Sequence, residues 1–140
     1  MKLDSVGLSD DRPRMISTVS LVALGGAIGA SLRWLAGIAV FRVLGTSEFP
    51  LAIIAVNVLG SFLMGVFAVA AAQKGLSHLS PFVMTGLLGG FTTFSAFSLE
   101  TMTLIERGQV GQAGLYIALS VGLSVGALAF GLIIAREVFA

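Results

Sequence analysis

The chain is predicted to be an all-α membrane protein of four transmembrane helices, on three observations. Of its 140 residues 56% are apolar and 11% charged, with a mean hydropathy of +1.02, whereas soluble domains run about 45–50% apolar and about 25% charged. Four uncharged runs follow one another, each near or above the roughly 20 residues that cross a hydrocarbon layer of about 30 Å as a helix. Glycine, at 18 residues, is nearly twice its average share of about 7%, and small residues fall four apart in every run: Gly25 and Gly29, Ser61 and Gly65, Gly86 and Gly90, Gly122 and Gly126. That spacing lets helix backbones approach where lipid supplies no hydrophobic drive. Helices of this length enclose little interior alone, so a homo-oligomer is the expected unit.

Residues 1–14 hold six charges and one proline without an apolar period, and are expected to be a disordered tail. The membrane domain then covers 15–140. Its first span, 15–44, runs uncharged from Met15 to Leu32 and resumes after Arg33. The second, 49–72, is uncharged throughout. The third, 81–105, opens with Ser80 as N-cap and Pro81 at the first helical position, and Gly108 after Glu106-Arg107 marks a stop. The fourth, 110–135, ends before Arg136-Glu137. Lys2, Arg12, Arg14, Lys74 and Arg136 lie with the termini, against Arg42 and Arg107 opposite, a modest bias toward cytoplasmic termini. A chain with so weak a bias can insert both ways and pair as an antiparallel dimer.

Composition also excludes. Eight Lys or Arg against seven Asp or Glu give no basic field for a phosphate backbone, so nucleic acid is not a partner. With no cysteine and one histidine, His78, thiolate metal sites, disulfides and Cys–His nucleophile pairs are out of reach. No Asp, Glu or His stands in the middle of a span, which argues against a proton relay. Arg33 and Glu100 lie toward span ends, placed either as mouth charges or as charges reaching the headgroups.

Polar groups at membrane depth are therefore the candidates. Asn57, between Val56 and Val58, must be hydrogen-bonded or wet, and suits either an interhelical bond or a pore-lining donor. Tyr116, Ser120 and Ser124 recur every four residues on one helix face, as a polar track or as serines bonded back to their own helix. In the third span Phe91, Phe94 and Phe97 are each followed by a hydroxyl, at Thr92, Ser95 and Ser98. Gly89-Gly90 before Thr92-Thr93 disfavours helix there, so a break near mid-membrane is expected, where carbonyls suit cations and helix N-termini suit anions. The rings are either core or, by their electropositive edges, contacts for a small anion.

Gly25-Gly26-Ala27-Ile28-Gly29-Ala30-Ser31-Leu32-Arg33-Trp34, Val56-Asn57-Val58-Leu59-Gly60, and Thr85-Gly86 with Gly89 through Glu100 resemble the Fluc fluoride channels, also called CrcB, over essentially all the chain after the tail. The resemblance implies an antiparallel, dual-topology homodimer in the bacterial inner membrane, with two pores that both subunits build. These conduct fluoride passively and reject chloride. Fluoride enters cells as the neutral acid and ionises inside, so a passive leak protects them. Carried over by position, Phe94 and Phe97 are the ring pair, Asn57 the pore asparagine, and Ser120 and Ser124 the hydroxyl wall, with Tyr116 on their stripe. Thr93, Ser95 and Ser98 line the broken helix, Arg33 is the vestibule arginine, and Glu100 ends the track. The carbonyls of Gly89 and Thr92 from both subunits correspond to the ligands of one structural sodium ion. Two positions depart from the pattern: Ile53 and Ala96 each stand where the family has threonine. A proton-coupled small multidrug exporter is the alternative, but it needs a carboxylate deep in the first span. A holin-like scaffold would leave the Phe-hydroxyl repeat without a purpose.

Overall fold

The computed structural model describes residues 11–45 and 47–139. Helix α1 runs Asp11–Leu44, α2 Leu51–Gln73, and a 3-10 turn at Ser77–Leu79 leads into α3, Pro81–Leu88, which is wound as a π-helix and continued by one α turn, Gly89–Phe91. Helices α4, Phe94–Glu106, and α5, Val110–Phe139, complete the chain, with no strand among the described residues. Counted from Ser77 to Glu106, the third segment joins α1, α2 and α5 as four helical stretches long and apolar enough to cross a membrane.

The boundaries differ from expectation for local reasons. Residues 1–10 of the predicted tail lie outside the described residues, but Asp11 to Arg14 are helical, since Pro13 falls in the first turn, where its missing N–H costs nothing. Helix α2 starts at Leu51 rather than Phe49, because a residue preceding proline, here Pro50, is pushed out of helical geometry. Pro81 does take the first helical position, but Ser80 makes no side-chain cap bond and is itself helical, at φ −55°, ψ −40°. Gly108 does end α4: at φ +75° it passes its N–H to Ile105 O at 2.9 Å while Gln109 N bonds Leu104 O at 2.9 Å, a Schellman closure. Gly75, at φ +68°, ends α2 in like manner, with Leu76 N on Ala71 O at 3.0 Å.

Side-chain hydrogen bonds join separate elements at both ends of the bundle. Gln109 Nε2 donates to Glu48 Oε2 at 3.0 Å, joining the α1–α2 loop to the α4–α5 turn. At the opposite end Lys74 Nζ donates to Phe139 O at 3.3 Å. Helices α2 and α5 therefore run parallel, and they pack backbone to backbone: a Cβ on Gly65 would strike Leu128 O, and one on Gly131 would strike Phe62 O. Helix α1 lies on α3 in the same way through Gly25, Gly29, Gly86 and Gly90. Gly122 and Gly126 differ, for a Cβ on either meets nothing within 4 Å. A small core of Ile54, Leu104, Ala113 and Tyr116 closes the loop end. Elsewhere large apolar side chains face outward, Trp34, Leu99 and Val43 among them, as an apolar solvent permits.

Candidate functional site

The helix that starts at Pro81 stops at Phe91. Thr92 (φ −79°, ψ 159°) and Thr93 (φ −153°, ψ 119°) are extended, and helix resumes at Phe94. Two glycines followed by two β-branched residues favour this interruption, which frees backbone groups that must find partners. Asn57 supplies them: its Oδ1 accepts from Thr93 N at 2.7 Å, and its Nδ2 donates to Thr93 O at 3.0 Å. The amide thus pairs with Thr93 as a neighbouring strand would. One amide hydrogen is spent in this clip and the other is left over. Thr93 Oγ1 accepts from Ala96 N at 3.2 Å, capping α4, and lies 3.2 Å from Ser95 Oγ. Thr92 Oγ1 folds back to Leu88 O at 2.9 Å.

Beside the interruption lies a cavity of about 360 Å³, lined by Asn57, Ser61 and Met64 of α2, by Thr92 and Thr93, by Phe94 and Phe97 of α4, and by Ser120, Val121, Ser124, Val125 and Leu128 of α5. Six of the expected pore residues, Asn57, Thr93, Phe94, Phe97, Ser120 and Ser124, thus share one wall. Phe94 and Phe97 lie with centroids 5.3 Å apart, Phe97 and Tyr116 5.4 Å apart, and Phe49 meets Tyr116 edge-on at 5.8 Å, so an aromatic row leads from the cavity to the loop end. Phe94 is 77% exposed and stands at the open side.

The hydroxyls divide into two kinds. Thr18, Ser20, Ser31, Thr92, Ser98, Thr101 and Thr103 each donate to the carbonyl four residues back, the usual fate in an apolar helix. The buried hydroxyls of Tyr116, Ser120 and Ser124 have no partner among the described residues. Leaving such a group unsatisfied costs about 1–3 kcal/mol, so the α5 stripe stands apart from the seven.

The other expected residues lie elsewhere. Tyr116 is fully buried behind Phe97 and outside the cavity wall. Ser98 is spent on Phe94 O at 2.9 Å, and Ser95 is exposed. Arg33 lines a separate cavity of about 650 Å³, which also contains Ile53 and Ala96, so both departures from the expected pattern gather around the arginine rather than around Asn57. Glu100 lines neither cavity. Gly89 is exposed, and a Cβ there would meet only Met84 O at 3.4 Å. No group of three His, Cys, Asp or Glu able to hold a metal occurs among the described residues. Ser61 and Met64 join the wall without having been singled out for it; for Ser61 the signal was present, one turn beyond Asn57.

Residues 20–132 match the family model described as CrcB-like protein, Camphor Resistance (CrcB). The chain belongs to the CrcB family. A protein of Ruegeria sp. (strain TM1040) named fluoride-specific ion channel FluC is 66% identical over 124 residues, 89% of this chain and 98% of that relative. One of the same name from Jannaschia sp. (strain CCS1) is 77% identical over 92 residues, 66% of this chain and 88% of its own. Another, from Paracoccus denitrificans (strain Pd 1222), is 48% identical over 126 residues, 90% and 100% of the two chains. The CrcB match spans the whole cavity wall, from Asn57 to Leu128.

Proposed function

We propose that this CrcB chain is a passive, fluoride-selective channel of the bacterial inner membrane, working as an antiparallel homodimer whose two copies complete two pores. The observation that carries the proposal is that Ser120 and Ser124, whose hydroxyls have no partner among the described residues, line one cavity with Asn57, Phe94 and Phe97. The relatives' names agree with it. Fluoride is small and tightly hydrated, so a path through lipid must replace its water with closely spaced donors. The wall offers the spare amide hydrogen of Asn57, the two serine hydroxyls and the electropositive edges of the rings. None of these is charged, so the ion is held without being trapped. The wall contains no carboxylate, which leaves a proton-coupled exporter without its coupling group.

The interruption at Thr92-Thr93 is taken as the mid-membrane break, since eleven helical residues precede it from Pro81 and thirteen follow it to Glu106. The cavity's open side at Phe94 and the empty space at Gly122 and Gly126 favour a second copy as the missing wall. Arg33 in its own cavity and Glu100 on α4 are the vestibule charges of this reading.

A structural sodium ion fits the backbone. Ala96 N bonds Thr93 Oγ1, so the Thr92 carbonyl is spared the helix bond that Ala96 would have given it, and bare carbonyls suit a hard cation. The carbonyls of Gly89 and Thr92 from each copy would hold the ion, which would supply positive charge to offset their dipoles.

Liposomes containing the purified protein and potassium fluoride test the function. Valinomycin is expected to trigger fluoride release, while potassium chloride liposomes stay silent. Release driven by a pH step without valinomycin, or no release at all, would overturn the proposal.

A further inference from the structure

We propose that Ser61 is a further ion-contacting residue of the path, its hydroxyl forming the inner end of the donor stripe beyond Phe94. This rests on the fluoride-channel reading and extends it to a residue whose spacing suggested packing alone. Ser61 lies one turn past Asn57 on the same face of α2 and lines the same cavity. The glycine contacts set its depth. Because Gly65 abuts Leu128 and Leu132, and Gly131 abuts Phe62 and Val66, the parallel α2 and α5 are in a register that places Ser61 level with the turn between Ser124 and Leu128. It thus stands beyond Ser124 along the bundle, on the facing helix.

Its neighbours already do the packing. In the pair Ser61 and Gly65, it is Gly65 that touches the α5 backbone, and Gly60 that meets the Thr92 methyl. Nor is Ser61 among the seven hydroxyls that fold back onto their own helix. A hydroxyl at this depth gives an ion leaving Ser124 its next neutral donor, so that the path does not end against Met64 and Leu128.

Packing and donation predict opposite results for two substitutions. Ser61→Ala keeps a small residue and would satisfy packing, yet as a donor loss it is expected to slow valinomycin-triggered fluoride release on the order of tenfold, the effect of one lost hydrogen bond to a charged group. Ser61→Thr crowds the helix but keeps the hydroxyl, and is expected to stay within about twofold of wild type, since the bond survives. Ser31→Ala, on a hydroxyl already spent on Ala27 O, is the unchanged control. Should Ser61→Ala aggregate on size exclusion, Ser61→Cys, similar in size and a weak donor, must show the loss instead. A wild type that conducts fluoride, with Ser61→Ala equally fast or Ser61→Thr the slower of the two, overturns the role of Ser61 alone. A wild type that releases no fluoride overturns the channel reading and this inference with it.

Discussion

The contact between α1 and α3 and the cavity between α2, α4 and α5 use small residues to opposite ends. In the first, glycines bring backbone onto backbone: a Cβ on Gly86 would lie 2.8 Å from Val22 O, and one on Gly90 2.7 Å from Gly26 O. In the second, Ser61, Ser120 and Ser124 line a space that stays open. The comparison teaches that small residues close a gap where glycine lets backbone meet backbone, whereas hydroxyl-bearing residues of similar size border one that remains.

The sharpest way to break this contrast is Gly29→Val. Its branches would drive into Leu87 O and Phe91 N, backbone atoms that cannot turn aside, and overpacking of this kind costs about 3 kcal/mol or more. The expected outcome is loss of monodisperse protein on size exclusion; a normal elution peak would show that the interface has slack. Next in size is Asn57→Leu, which orphans the N–H and C=O of Thr93 at about 1–3 kcal/mol each, and should lower the thermal midpoint together with fluoride release. Asn57→Asp keeps the acceptor for Thr93 N but sets an oxygen against Thr93 O, so release is expected to slow with a smaller loss of stability. Phe94→Ile touches a ring that is 77% exposed, so stability should hold within about 0.5 kcal/mol while release falls. A parallel drop in both would make Phe94 part of the core. Smallest of all, Gly111→Ala, in the first turn of α5, enters open space and is expected to leave the unfolding midpoint of the chain unchanged.

Much of this was legible along the chain. Span number, the proline start at Pro81 and the stop at Gly108 follow from local rules, because runs of uncharged residues and positive-φ glycines act within a few neighbours. The gathering of Asn57, Phe94, Phe97, Ser120 and Ser124 was legible from periodicity joined to the family resemblance. What escaped was tertiary. That Asn57 would spend both ends of its amide on Thr93, 36 residues away, depends on which backbone groups are freed at the interruption and which helix passes beside them. The spacing from Asn57 puts Ser61 on the same face of α2, but the register of α2 on α5, which sets its level against Ser124, is not written in α2 alone. Ser98 and Ser120 were both expected on polar tracks, yet one bonds its own helix and the other does not, a choice that spacing does not encode.

The near-equal arms on either side of Thr92-Thr93 have a consequence for how cells can use the protein. On the proposed channel reading, the crossing point lies under a similar length of helix from either face of the bilayer, so a copy inserted upside down would offer a similar journey to its twin's. A valve of that kind would need no choice of orientation by the secretory machinery, and the concentration gradient alone would decide which way the traffic runs.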